Sequence, residues 1–564
     1  MKQSSSRFMF VNQALTPDIA NILIIIVIWI MMEVIIGPYG DFPLNDDWVY
    51  GLSVSSILSK GDFQLFDSTT NLVSQVFWGA LFCLPFGFSF NVLRISCLVL
   101  GIIGIITTYI IFREIKVPPR ISLIGALVIA VNPIYVNLSN TFMTDIPFFT
   151  LTAISIYLLI RGLEHDSKIE VTIGHVIAYV ALLIRQLGLA ISIAFGVGFL
   201  IKKGLSVQNF IKAFIPTLIG IAIQLFYQGW LKATMRLIPH HDLMLREAMG
   251  FIHSGKSHIA FKFIEVSFVA IIYLGLFIFP LLIVLFFIKY KELSSVQKIY
   301  SLLFSSFISV VIVSIMVSKN VLMPLGENII YNCGLGPVTL RDTYLLRLPH
   351  LPVAPKIFWL IPTTIGVIGA TLLLQYFFFA LQVFWQNRKF ELDRKWIIVF
   401  VTSAILIYFI PLVTVNHIFD RYYLPLLLLL MLLVSVTNTN INKWNISNSS
   451  VSIALVTILL YGIFSTGATH DYFSWNRARW QALNDLTKEL KISPRDIDGG
   501  YEFNGFYLYD SNYKPSSGKD WWVIGNDYII SFGPMNGYKE VGQYKFQRWI
   551  PFGQGDVFVL RKIG

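Results

Sequence analysis

The stretch IANILIIIVIWIMMEVIIGPYGDFPLNDDWVY, residues 19–50, passes within a few positions from an unbroken apolar run to a pair of adjacent carboxylates, Asp46 and Asp47. The run from 19 to 37 matches the roughly 17–25 apolar residues a helix needs to cross about 30 Å of hydrocarbon. It follows Lys2 and Arg7, is long for a signal-peptide core, and has no small-x-small cleavage site behind it. It therefore predicts a retained helix. The acidic pair just beyond its end needs a reason to be there.

Working outward, the whole chain repeats the pattern. Of its 564 residues, 55% are hydrophobic and only 13% charged, and the mean hydropathy is +0.68. A soluble fold has no place to hide that much apolar surface. The runs are helix-length rather than alternating strands, so a polytopic α-helical membrane protein is expected, not a barrel. The formal charge of +11 sits mainly in short loops between apolar runs, which reads as topology and excludes a nucleic-acid footprint. Cys83, Cys97 and Cys333 lack metal-ligand spacing; a Cys83–Cys333 disulfide requires both to face an oxidising compartment.

Thirteen spans are predicted: 19–37, 90–112, 120–137, 146–162, 171–184, 187–201, 209–231, 263–289, 299–318, 357–385, 397–413, 422–437 and 450–467. Basic residues mark the inner loops: Arg113, Lys116 and Arg120; Lys202 and Lys203; Lys289, Lys291 and Lys298; Arg388, Lys389, Arg394 and Lys395. The loop 38–89, with five Asp and one Lys, falls outside, as does 138–145. The apolar run 171–201 is divided at Arg185-Gln186, because an unbroken helix strands Arg185 in mid-membrane. Thirteen crossings put the N-terminus in the cytoplasm and the C-terminus outside.

Composition changes after 468. DYFSWNRARWQALNDLTKEL (471–490) reads as an amphipathic helix, and WWVIGNDYII and GDVFVLRK read as strands. The expected division is a transmembrane domain over 1–468 and a small extracytoplasmic α/β domain over 469–564.

Asp46 and Asp47 therefore face outside near the membrane, ahead of a helix-like stripe of Val49, Leu52, Val54, Ile57 and Leu58 that suits a segment lying along the surface. Asp47 or Asn45 serves equally as a plain helix cap. Asp145, in NTFMTDIPFF, begins helix 146–162 on the same side and is also a plausible cap. Two acidic sites at outer helix ends together favour a shared carboxylate site.

The pattern Asp46-Asp47-x-x-Tyr50 resembles the Asp-Glu motif in the first outer loop of GT-C glycosyltransferases, the membrane enzymes related to protein O-mannosyltransferases and the aminoarabinose transferase of lipid A. Asp145 stands where that family carries its second outer-loop Asp. RQLGL (185–189), GLGPVTLRDTY (334–344), FDRYYLPLL (419–427), DYFSWNRARW (471–480) and IDGGYEFNG (497–505) resemble a bacterial branch, over nearly the whole chain. Asp47 stands where the family usually has Glu, so its role is less defined than that of Asp46. The resemblance implies a GT-C-like fold in a bacterial inner membrane. It also implies transfer of a hexosyl or pentosyl group from a polyprenyl-phosphate donor, outside the cytoplasm, to a lipid, glycan or protein.

The chemistry fits. Transfer to a hydroxyl needs a carboxylate base, for which Asp46 and Asp47 are candidates with Asp145 in support. A departing lipid phosphate needs cations. Arg185, Lys232, Arg236, Lys319, Arg341 and Arg421 all fall on the outer side, with Arg421 favoured at the start of helix 422–437. Tyr50 and Tyr422 complete the expected substrate-contacting set. Two of these cations have a plainer role: Arg421 bridged to Asp420 or snorkelling, and Arg341 paired with Asp342 or bracing a loop. Glu33 lines the same cavity or reaches the headgroups. Trp521 and Trp522 are expected to pack the core of the outer domain rather than stack on sugar. His240-His241, with Asp242 or Glu247, has metal-ligating atoms, although ordinary interfacial histidines account for the pair. A divalent cation at the carboxylates stays open, and no other cofactor is called for. There is no GxxxxGK[ST] and no strand-linked GxGxxG. A transporter or flippase predicts mid-membrane ionisable groups and paired broken helices, which the sequence does not show. An oligosaccharide ligase or polymerase is the nearer alternative.

Overall fold

The computed structural model describes residues 16–238, 241, 243–386, 392–415, 418–437, 444, 446–515 and 519–563. His240, Asp242, Lys2, Arg7, Arg388 and Lys389, named above, lie outside these residues.

Helix α1 (Pro17–Ile36) starts where Thr16 accepts from the Ile19 amide and Pro17 sets the first turn, and it stops at Gly37. The loop after α1 carries α2 (Asp47–Lys60) and α3 (Val73–Cys83). Next come α4 (Phe90–Glu114), α5 (Pro119–Ala130), α6 (Pro133–Ser139), α7 (Asp145–Glu164), α8 (Lys168–Leu182), α9 (Leu189–Lys203) and α10 (Val207–Ala233). They are followed by α11 (Leu243–His253), α12 (Lys256–Glu292), α13 (Ser295–Ser318), α14 (Lys356–Gln386), α15 (Leu392–Thr414), α16 (Leu424–Val436) and α17 (Asn448–Asn484).

Ten of these helices are long and apolar enough to cross a membrane, among the described residues. The expected span 120–137 is instead the pair α5 and α6, bent by 61°. Pro133 cannot continue the α5 hydrogen-bond ladder, and Asn132 caps α6 by accepting the amides of Ile134 and Tyr135. Counting that pair as one span gives eleven. The two other expected spans, over 171–184 and 422–437, appear as helices of 15 and 13 residues, short of the roughly 20 that a straight crossing needs. Every residue of α16 is buried, so it forms the centre of the bundle rather than meeting lipid. The chain is a multi-pass helical membrane protein.

The division at Arg185-Gln186 is present. α8 ends at Leu182, Gln186–Gly188 make one 3₁₀ turn, and α9 begins at Leu189. Gly188 permits this turn: a Cβ there would lie 2.3 Å from the Leu182 backbone nitrogen. Elsewhere α12 and α14 meet backbone to backbone at Gly275 and Gly369, the close approach that small residues allow between membrane helices. Cys83, Cys97 and Cys333 are all free, so the Cys83–Cys333 disulfide does not form.

The change of composition at 468 falls inside α17, which runs on unbroken and carries the chain into its C-terminal region. There α18 (Tyr501–Leu508) and a sheet follow. Its strands are β3 (Ile497–Asp498), β4 (Tyr528–Ser531), β5 (Tyr538–Trp549) and β6 (Phe552–Lys562), after the small pair β1 (Ile330–Tyr331) and β2 (Gly334–Leu335). The order is β3-β4-β6-β5, with β3 parallel to β4 and the other pairs antiparallel. The expected strand in WWVIGNDYII is confined to its last three residues plus Ser531, while β5 was not foreseen. Most of its side chains are exposed or half-buried, so its sequence lacks the apolar alternation that announces a strand. The sheet is tied to α17 by Asp471, whose carboxylate accepts the amides of Trp549 and Ile550 at 2.8 Å each.

Candidate active site

Asp46 and Asp47 are neighbours with different surroundings. Asp46 is the residue that caps α2, but its side chain makes no capping hydrogen bond. One of its oxygens lies 3.4 Å from Arg421 and the other accepts from the Tyr501 hydroxyl at 3.0 Å. Asp47 is 1% exposed. One of its oxygens accepts the Phe142 amide at 2.8 Å, the other the Leu44 amide at 3.4 Å. Burial pushes its pKa up to about 8, against the opposing pull of Arg94 and these two amides. Asp47 thus fastens the loop after α1 to the segment before α7. Of the three candidate carboxylates, only Asp46 has a side chain with appreciable access, 23% against 2% for Asp145.

Asp145 opens α7 without capping it; Thr144 holds the cap position and its side chain makes no capping bond. Arg185 reaches across from the α8–α9 break. It lies 2.9 Å from Asp145 as an ion pair, not aligned as a hydrogen bond, and donates to Thr144 Oγ1 at 2.8 Å. The break in the helix is therefore what brings this arginine to Asp145.

Arg421 comes from the 3₁₀ turn Asp420–Tyr423 that precedes α16. It is not bridged to Asp420, whose fully buried carboxylate instead accepts the amides of Ile329 and Ile330 at 2.7–3.1 Å. Burial, more than these bonds offset, lifts the Asp420 pKa to about 7. Burial by itself works against a charged Arg421, but Asp145 and Asp46 outweigh it, so the guanidinium is held protonated. Its Nε is buried without a hydrogen-bond partner. Phe419 and Tyr422 flank the guanidinium, 5.5 and 5.8 Å from it.

Tyr50 lies among the same charges. Burial first, then Asp46, raise its pKa above the ordinary phenol range, so it remains a hydrogen-bond donor. Asp46, Tyr50, Asp145, Arg185, Arg421 and Tyr422 thus meet in one cluster of two carboxylates and two guanidiniums.

Other expected cations go elsewhere. Lys232 and Lys319 are exposed at the C-terminal ends of α10 and α13, and neither side chain bonds to the cluster among the described residues. Arg236 pairs with Asp62. Arg341 pairs with Asp498 at 3.2 Å, and Asp342 accepts the Phe532 amide and meets His350; both serve the C-terminal region. His241 is buried. The Glu33 carboxylate oxygens are buried as well. No group of three metal-ligating side chains occurs among the described residues; Asp46 and Asp145 each face an arginine.

Three residues of the site went unforeseen. Tyr501 lies in IDGGYEFNG, a stretch noted only as a resemblance. Glu502, fully buried, accepts from the Asn45 amide at 3.0 Å, from Thr339 Oγ1 at 2.7 Å and from Arg479 at 2.8 Å. It clamps the C-terminal region to the residue before Asp46. Arg94, hidden in the apolar run of α4, donates to the carbonyls of Pro38, Gly40, Phe42 and Asn140, and so ties the loop after α1 to the segment before α7. The rings of Trp521 and Trp522 lie against Tyr501, at 5.8 and 6.0 Å, and Trp522 also packs Tyr509 and, from α2, Trp48 at 5.0 Å.

Comparison with known proteins gives the following. No curated protein sequence matches the chain. Among solved structures, similar chains include ArnT from Cupriavidus metallidurans bound to undecaprenyl phosphate, at 11% identity, TM-score 0.47, 96% of this chain and 97% of that one. The apo state of the same protein is similar at 12% identity and TM-score 0.38, over 87% and 83%. An Archaeoglobus fulgidus oligosaccharyltransferase complexed with zinc and sulfate is similar at 12% identity and TM-score 0.37, over 89% and 59%. Residues 75–229 match the family model of dolichyl-phosphate-mannose-protein mannosyltransferase. Over that stretch, which holds Asp145 and Arg185, the match bears out the resemblance to GT-C membrane glycosyltransferases read from the sequence.

Proposed function

We propose that the protein transfers a sugar from a polyprenyl-phosphate donor to an acceptor hydroxyl on the extracytoplasmic side of a bacterial inner membrane. The observation that carries this reading is Asp46 and Arg421 meeting at 3.4 Å, with Asp46 partly open and the Arg421 Nε unpartnered. Asp46 takes the proton as the acceptor oxygen attacks the anomeric carbon. The bond from that carbon to the phosphate oxygen breaks, and the lipid phosphate leaves with its charge facing Arg421, with Arg185 behind it. Asp145 orients Arg185, and Asp47 holds the loop rather than the proton. An apolar cavity of about 570 Å³, lined by Ile330, Phe277, Phe358 and Phe464 among others, lies next to the loop held by Asp420 and offers room for isoprenoid units.

The test is Asp46→Asn, which keeps shape and loses the base. Base catalysis contributes about 10²–10⁴-fold, so in vitro transfer from a radiolabelled polyprenyl-phosphate sugar should fall by that order while donor binding persists. Near wild-type transfer in both Asp46→Asn and Asp47→Asn would sink the assignment.

A further inference from the structure

The apolar cavity and the Asp46–Arg421 pair are joined by one short segment of chain. Residues 323–330 lie between α13 and α14, and their backbone is held by side chains from three other elements. Thr363 Oγ1 of α14 accepts the Met323 amide at 3.0 Å. The Tyr273 hydroxyl of α12 accepts the amides of Leu325 and Gly326 at 3.1 Å each. The Asp420 carboxylate accepts the Ile330 amide at 2.7 Å, while the Ile329 amide lies across both its oxygens at 3.0 and 3.1 Å. The two ends of this strap, Met323 and Ile330, line the cavity of about 570 Å³.

Asp420 directly precedes Arg421, so one dipeptide holds two things. Its carboxylate fixes the cavity wall at Ile330, and its guanidinium meets Asp46. The carboxylate is fully buried, a placement that costs desolvation. What it gains is a grip on two consecutive amides with both oxygens, where an Asn side chain has a single accepting oxygen. The far side of the cavity has a different character. Ile361 of α14 and Ile463 of α17 line it and are 59% and 58% exposed, on helices apolar enough to cross a membrane. The cavity therefore opens sideways toward hydrocarbon.

We infer that Asp420 is a positioning residue for the donor: it fixes the spacing between Arg421, which meets the phosphate, and the cavity, which takes the isoprenoid chain. The inference rests on the transferase reading above and adds what sets the preference for a lipid-linked phosphate. A ligand with two parts gains from both sites only when their separation matches its own. A phosphate without a chain engages Arg421 alone and gains nothing from the strap. Asp420 touches no reacting atom and acts through Arg421 and Ile330.

Phosphorus NMR titration of the full chain in nanodiscs, referenced to empty nanodiscs of the same lipid, tests this with farnesyl phosphate and ethyl phosphate as probes. The wild type should prefer the farnesyl ester by about 10²-fold or more. Asp420→Asn should lose roughly ten-fold of that preference, by weakening farnesyl phosphate while ethyl phosphate stays within about two-fold. Arg421→Ala should weaken both probes. Tyr273→Phe loses the acceptor for Leu325 and Gly326 but keeps the ring, so it should shift the preference in the same direction, and it carries the test if Asp420→Asn does not fold. Equal weakening of the two probes in Asp420→Asn and Tyr273→Phe would make the strap mere support for the cation and overturn the inference. An unchanged preference in both variants, or no preference in the wild type, overturns it too. If the preference collapses as expected while Asp46→Asn transfers normally, the coupling stands and the transferase reading falls; if the preference does not move while Asp46→Asn abolishes transfer, the reverse is true.

Discussion

Arg421 and Asp46, 375 positions apart in the chain, meet at 3.4 Å while the Arg421 Nε keeps an unspent N–H. This separation makes the pair a product of the fold rather than of any local motif. A cation placed for a phosphate in a partly dry site contributes on the order of 1.5–3 kcal/mol, so Arg421→Ala should lower kcat/KM for the lipid-phosphate donor about ten- to a hundred-fold. Arg421→Lys should recover part of it, because a point charge replaces a fork. Steady-state kinetics with varied donor decides; unchanged kinetics in a folded Arg421→Ala protein would make the arginine structural.

Tyr501→Phe removes one hydrogen bond to Asp46 and keeps the ring that Trp521 and Trp522 pack against. A bond to a charged group is worth about 1.5–3 kcal/mol. Transfer should drop by roughly ten-fold or somewhat more at a temperature where the variant is still fully folded, while melting falls by no more than the lost bond accounts for. Wild-type transfer in a protein of lowered melting temperature would instead mark Tyr501 as a packing residue.

Glu502 and Arg479 form a fully buried ion pair. Removing one partner strands the other, at a cost of about 3–5 kcal/mol. Glu502→Ala should therefore unfold at markedly lower temperature, and it should also slow transfer because the Asn45 amide loses its anchor beside Asp46. Glu502→Gln, which still accepts from Asn45, should lie between. Melting in detergent, read beside activity, checks the order of the three proteins.

Asp47 provides the pH dependence. Its pKa is about 8 in the folded chain against 3.8 ordinarily. Between those values the native state binds more protons than the unfolded state, so stability falls as pH rises, with a slope of at most about 1.4 kcal/mol per unit. Asp47→Asn should flatten that fall between pH 5 and 8 (about the window set by the two values). Below about pH 4, where Asp47 is protonated in both states, the substitution should cost roughly 1 kcal/mol, since the amide can accept from only one of the Leu44 and Phe142 N–H groups, and the flatter slope should reverse that deficit as pH rises. An unaltered pH profile of melting would show that the carboxylate does not titrate there.

Orientation is open to a direct check. Cysteines placed in 41–70 and 470–515 should react with an impermeant maleimide from outside, and those in 114–119 should not. Labelling of the C-terminal region only after permeabilisation would overturn the outward-facing site.

The apolar runs by themselves determined the helical membrane class, because crossing hydrocarbon leaves a segment no option but to satisfy its backbone internally. Sequence also placed the break at Arg185, since a mid-membrane arginine is too costly to leave in a continuous helix, and it brought Asp46, Asp145, Arg185 and Arg421 forward as candidates. It did not divide the labour between Asp46 and Asp47. That depends on whether a carboxylate's partners are the Leu44 and Phe142 amides or Arg421 and Tyr501, and backbone amides carry no sequence signature. Nor did it separate Arg421 from Lys232 and Lys319, which the predicted spans put on one side but which do not share a neighbourhood. The contribution of the C-terminal region was hidden for the same reason: Tyr501, Glu502 and Trp522 reach the segment around α2 only because the chain after α17 turns α18 back over α2. Hydrophobic period is a local property of the chain. Which charges become neighbours is settled by packing between segments hundreds of residues apart.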